Sequence, residues 1–132
     1  MTYVIDTHIF LWLIFDHKKI SGKKIEILEN PNNTLYVAAV SFWEISLKFN
    51  LGKLELKGIT PEALPAIAKE MDIAIINIDA NIMSSFYKLR KIKTHKDPFD
   101  RLIIWHCIQN NHILISQDKQ FSQYKAFGLQ YI

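Results

Sequence analysis

The sequence predicts an α/β fold in which a mainly parallel sheet carries helices on both faces. Three observations point there. Short apolar segments alternate with helical stretches along the whole chain. The apolar segments are unbroken rather than alternating with polar residues, as in strands covered on both sides. Nothing among the 132 residues reads as a repeat, a low-complexity tract or a linker, so a single domain spanning 1–132 is expected.

Tyr3–Asp6 reads as the first strand, and His8–Phe15 as a helix that is apolar almost all round. Lys19–Glu29 is amphipathic and ends in the turn-forming Asn30-Pro31-Asn32-Asn33. Leu35–Ala38 is a second strand. Val40–Asn50 is a helix with Trp43 and Leu47 at helical spacing, closed by Gly52. Thr60-Pro61-Glu62 opens another helix, with Thr60 as cap and proline in the first turn. Ile73–Ile78 is a third strand, and Ala80–Arg90 and Phe99–Gln109 are helices. His112–Ser116 is a fourth strand, Lys119–Tyr124 a short helix and Leu129–Ile132 a last strand.

Hydrophobic residues make up 49% of the chain and charged residues 22%, which is a globular balance. The lone Cys107 allows no internal disulfide. No apolar run approaches the roughly 18 residues that span a bilayer, and no basic leader is visible, so a cytoplasmic protein is expected. The net charge of +3 is weak support for a nucleic-acid partner. Its distribution says more: Lys88, Arg90, Lys91, Lys93, Lys96 and Arg101 crowd one stretch around His95. A solvated helix face running into a loop would also explain that run.

In parallel sheets ligands bind beyond the carboxyl ends of the strands. Asp6 and Asp118 follow two strands and should stand at that edge, although each could simply cap the helix after it. Glu44 lies mid-helix in Ser41-Phe42-Trp43-Glu44-Ile45-Ser46-Leu47, where an isolated carboxylate is costly unless compensated. The plainer alternative is a surface Glu44 paired with Lys48 one turn on. In His95-Lys96-Asp97-Pro98-Phe99-Asp100-Arg101, Asp97 is a helix cap ahead of proline. Asp100 falls in the first helical turn, where it can serve the cap and helix dipole or face a cation. Converging carboxylates repel one another and take up protons unless a cation neutralises them. An all-oxygen set suits Mg²⁺ or Mn²⁺. Next to a basic stretch, that is the chemistry of a phosphodiesterase acting on a polyanion.

Several segments resemble one known family in order and spacing. They are Val4-Ile5-Asp6-Thr7-His8-Ile9-Phe10-Leu11-Trp12, then Ser41-Phe42-Trp43-Glu44-Ile45 with Leu51-Gly52-Lys53-Leu54, then His95 to Ile103, and finally Ile115-Ser116-Gln117-Asp118-Lys119-Gln120-Phe121. The chain resembles PIN-domain proteins of the VapC toxin group over nearly its whole length. The resemblance implies a three-layer PIN fold and a metal-dependent endoribonuclease that hydrolyses RNA. It implies an acidic quartet of Asp6, Glu44, Asp100 and Asp118, both catalytic and metal-holding. It also implies a cognate antitoxin protein and a homodimer. Ser116 matches a position where the family often has a small hydroxyl near the metal, and Asp97 is left as a cap or supporting group. Trp105-His106-Cys107 is bulkier than the family's usual residues there. His8 and His106 are expected to be side chains on packed helices rather than catalysts.

Two other classes are weighed. A phosphoacceptor signalling domain would need adjacent acids after the first strand, where Thr7-His8 stand instead. A PIN scaffold that binds RNA or protein without catalysis would not need the intact quartet.

Overall fold

The computed structural model describes residues 1–132. Its strands are β1 (Thr2–Ile5), β2 (Thr34–Ala38), β3 (Ile73–Ile76), β4 (Ile113–Ile115) and β5 (Gln130–Tyr131). They form one sheet in the order β3-β2-β1-β4-β5, with every pairing parallel. The helices are α1 (Thr7–Phe15), α2 (Gly22–Glu29), α3 (Ala39–Asn50), α4 (Leu64–Glu70), α5 (Ala80–Ser85) and α6 (Pro98–Asn110). The three-layer α/β architecture expected from the sequence is the one observed.

The strands are apolar throughout because both faces of the sheet are covered. On β1, Tyr3 and Ile5 join a core with α1, α2 and α4, while Val4 between them joins a second core with α6. Ile5 and Val4 are both fully buried. Helix α1 is absorbed by the first core through Ile9, Phe10, Leu11 and Leu13. The bulky Trp105 is accommodated with its indole N–H donating to the Ser85 hydroxyl at 3.1 Å. Cys107 is fully buried, and burial pushes its thiol well above the ordinary range. No helix is long and apolar enough to cross a membrane.

Several boundaries differ from the sequence reading. The helix expected from Thr60 begins as a 3₁₀ turn, Pro61–Ala63, with no side-chain bond from the Thr60 cap, and becomes α4 at Leu64. The helix expected from Lys19 is a 3₁₀ turn at His17–Lys19, an extended link through Ile20 and Ser21, and then α2. Gln117, at the end of β4, imposes the break: its side chain accepts from the Ser21 N–H and donates to the Lys19 carbonyl. The helix expected over Ala80–Arg90 stops at Ser85 and continues as a 3₁₀ turn, Phe86–Lys88. Arg101 holds the Leu89 and Arg90 carbonyls at 3.1 and 2.9 Å, which keeps them out of a helical ladder. The short helix after Asp118 is a 3₁₀ segment reaching Phe127.

Candidate metal centre

Parallel pairing puts the carboxyl ends of β1 and β4 side by side, with Ile5 opposite Ile115. Asp6 follows at once, its N–H donating to the Ile115 carbonyl at 3.2 Å. Its carboxylate caps α1 by accepting from the Ile9 N–H at 2.8 Å, and it is almost fully buried. Burial above all, and the nearby Glu44 charge, push the Asp6 carboxyl up; Ser116, the Ile9 N–H and His8 work in the other direction. Asp118 lies beyond β4, caps the 3₁₀ segment through the Gln120 N–H, and is exposed. The Ser116 hydroxyl accepts from the Asp118 N–H at 3.1 Å, which leaves its own hydrogen for Asp6. Both aspartates therefore cap, as the plainer reading held, and both stand at the site edge.

Glu44 is only 1% exposed. A buried carboxylate needs partners, and two are in place. The Thr7 hydroxyl donates to Oε1 at 2.7 Å, and the Lys48 ammonium bonds to Oε2. Thr7 has one hydrogen, so the Ser41 hydroxyl must be the donor in its 2.9 Å contact with Thr7. The Glu44–Lys48 pair of the alternative reading exists, but on a buried carboxylate rather than a surface one.

Asp97 caps α6 by accepting from the Phe99 and Asp100 N–H groups at 2.9 and 3.2 Å. That fixes Asp100 in the first turn, at the same sheet edge. Asp100 is where the site converges. One carboxylate oxygen each from Glu44, Asp97 and Asp100 lie within 4.8 Å of one another, and so do ligand atoms of His95, Asp100 and Asp118. Asp6 belongs to neither trio, yet its charge also bears on Asp100. Burial first, then Asp97, Glu44, Asp6 and Asp118, raise the Asp100 carboxyl from its ordinary 3.8 to about 8. Glu44, Asp100 and Asp118 of the expected quartet, with Asp97, share these two groups, while Asp6 stands outside both and bears on Asp100 through its charge.

Lys48 and His95 complete the site, and the sequence reading gave neither a role there. Burial opposes the charge on Lys48, but its bond to Glu44 and the charges of Glu44, Asp97 and Asp100 outweigh this and hold the ammonium above its ordinary range. His95 is buried between Tyr124 and Asp100, with Nδ1 at 2.8 Å from the phenol oxygen and Nε2 at 3.2 Å from Oδ2. Arg101 Nε donates to the same phenol oxygen at 3.4 Å. With the Tyr124 hydrogen on Nδ1, the proton of His95 sits on Nε2 and faces Asp100; with Nδ1 as the donor to the phenol oxygen, Nε2 accepts from a protonated Asp100. Burial lowers the His95 pKa, with Arg101 adding to it against the pull of Asp118 and Asp97. Of the two helix histidines, His106 is packed as expected, with Nε2 unpartnered, but His8 is exposed.

The donor chemistry fits a divalent cation: oxygen ligands dominate, no thiolate is near, and Asp100 is a largely buried carboxyl surrounded by four other acids. The model of the PIN domain family matches residues 3–126. The chain belongs to the PIN domain family. No curated protein matches it in sequence. Among solved structures, VapBC2 from Rickettsia felis bound to a promoter DNA fragment is similar at 21% identity and TM-score 0.72, over 100% of this chain and 98% of that one. VapBC-1 from nontypeable Haemophilus influenzae follows at 20% and 0.67, over 100% and 97%. DNA-bound VapBC from Salmonella typhimurium gives 13% and 0.66, over 100% and 98%. At such identities the likeness is one of fold.

In this PIN domain Asp97 can be separated from its neighbours by stability. Asp97→Ala removes the α6 cap and should destabilise the protein by about 0.5–2 kcal/mol in denaturant titrations, while much of any activity remains. Loss of activity as complete as for Asp6→Asn, in a folded variant, would make Asp97 a direct member of the site.

Proposed function

We propose that this PIN domain is a VapC-type toxin, an endoribonuclease dependent on Mg²⁺ or Mn²⁺ and neutralised by a cognate antitoxin protein in the cytoplasm. The observation that carries the reading is the gathering of Glu44, Asp97 and Asp118 around Asp100, with the Asp6 charge bearing on it and the Lys48 ammonium bonded to Glu44. In this reading Glu44 and Asp100 hold the ion directly, and Asp6 and Asp118 reach it through water or by small side-chain rotations. Thr7 keeps Glu44 aimed at the site, and His95 does the same for Asp100. A divalent cation bound there would polarise the scissile phosphate and ease deprotonation of the attacking water. Labelled single-stranded RNA should be cut in Mg²⁺ or Mn²⁺ and spared in a chelator. Intact RNA with either ion would overturn the assignment.

The partner reading rests on surfaces. A groove between α1 and the chain after α3 is lined by His8, Leu11, Trp12, Phe15, Leu54 and Leu56, and adjoining it Thr7, Glu44 and Lys48 line a second recess. An antitoxin segment lying there would bring a Lys or Arg to the carboxylates. For the homodimer, an exposed apolar stripe runs along α3 and its C-cap rather than α1: Trp43, Leu47 and Leu51, one turn apart, are 64%, 39% and 57% exposed. Size measurement in dilute solution should give a dimer, and cleavage should fall when the product of a neighbouring partner gene is added. A strict monomer, or full cleavage in a saturated complex, would sink the corresponding half.

A further inference from the structure

One concavity lies outside the acidic centre and against it. It holds about 300 Å³ and is lined by Lys91, Ile92, Lys93, His95, Lys96 and Arg101. Four of these side chains are cations, none is a carboxylate, and none of the four cations makes an ion pair. Like charges gathered in a recess repel one another, and an anion placed among them is attracted by all of them at once.

The recess is built rather than incidental. Arg101 pins the Leu89 and Arg90 carbonyls to α6, and its guanidinium lies 5.3 Å from the centre of the Phe86 ring. The chain then reverses in a tight turn closed by the His95 N–H on the Ile92 carbonyl at 3.1 Å. This turn spreads Lys93 and Lys96 around the opening while burying His95. The imidazole is shared: it lines the basic recess, and its Nε2 touches Asp100 in the acidic centre. A site for anions and a site for cations are thus separated by one ring. A small free anion has no use for that juxtaposition, whereas a strand with regularly spaced phosphates can occupy both sides at once.

We propose that this recess seats a backbone phosphate of the RNA strand, a neighbour of the phosphodiester to be cut. The proposal rests on the ribonuclease reading for its ligand, and it can be tested without cleavage. Binding of a short fluorescein-labelled single-stranded RNA would be followed by anisotropy in a chelator, across a range of salt. Lys93→Ala with Lys96→Ala should weaken binding roughly tenfold at low salt. It should also reduce the slope of log K against log salt by about 0.7, the release expected for one phosphate contact on a single strand. Lys23→Ala with Lys69→Ala, which removes the same charge from other exposed helix positions, should leave both quantities unchanged. Equal losses in the two double variants would reduce the recess to diffuse charge and overturn the proposal. So would unchanged RNA binding, or a loss confined to a labelled oligoglutamate peptide, which would assign the recess to an acidic protein segment. Cleavage in Mg²⁺ separates the two readings: a raised KM with kcat retained supports the recess, while no cleavage by the unsubstituted protein, with its binding data intact, defeats only the ribonuclease reading.

Discussion

Asp6→Asn is expected to lower RNA cleavage by about a thousandfold or more while the protein melts at the same or a higher temperature. The two halves come from different properties of one side chain. As a cap, asparagine is equivalent to aspartate, and its carbonyl oxygen can keep the 2.8 Å bond from the Ile9 N–H. As a charge, it is not. Asp6 is buried beside Glu44 and contributes to the field that keeps Asp100 protonated, so neutralising it relieves the metal-free fold. With a cation bound, the same change removes a negative charge from its surroundings, and three decades in rate correspond to roughly 4 kcal/mol, within what a metal centre supplies. Single-turnover cleavage and a thermal melt on one preparation check both halves. Cleavage within tenfold of the unsubstituted protein in Mg²⁺ would remove Asp6 from the site.

The second large effect is on stability. In the metal-free protein Asp100 keeps its proton to about pH 8, whereas in the unfolded chain it loses it near its ordinary 3.8. Between those values the folded state holds a proton that the unfolded state has released, so the stability contribution is full below the lower value and declines as pH rises towards 8. Below about pH 7 the buried His95 and His106, whose pKa values are lowered mainly by burial, act in the opposite sense. The clean window is therefore from about pH 7 to 8, where both histidines are mostly neutral folded or unfolded. Melting temperature should fall across that window without metal, and Asp100→Asn should flatten the fall. A cation displaces the proton instead. At a concentration one hundred times its dissociation constant it adds about 2.7 kcal/mol, or roughly 10 °C for a domain of this size. The gain should be greater at pH 8 than at pH 7. A melting temperature indifferent to Mg²⁺ and Mn²⁺ at both pH values would mean that the acids do not share an ion.

Much of this was legible because local chemistry agreed with the fold. The apolar runs at Val4-Ile5, Leu35–Ala38 and Ile113–Ile115 are strands covered on both faces, and Asp97-Pro98 starts α6 where a cap followed by proline should. Where a distant contact competes with local pattern, the reading slipped. Lys19 to Ser21 look helical until Gln117 takes their backbone groups, and Leu89 and Arg90 look helical until Arg101 takes theirs. His95 was missed as a site residue because a histidine in a lysine-rich run looks solvated; only packing against Tyr124 and Phe121 buries it. Thr7 was missed for a related reason, since its partner Glu44 is a carboxylate that tertiary packing hides, and the expected Lys48 pair was placed at the surface for the same reason.

By itself the sequence determined the alternation of strands and helices, the sheet edge at which Asp6 and Asp118 stand, and the helical turns that carry Glu44 and Asp100. Those follow from backbone preferences and apolar periodicity, which are properties of neighbours in the chain. Only the tertiary structure decided that four carboxylates bear on the fifth, Asp100, that the Glu44–Lys48 pair rests on a buried carboxylate, and that a basic recess adjoins them through His95. Electrostatic energy depends on distance through space and on exclusion of water, and neither is written in the order of the residues.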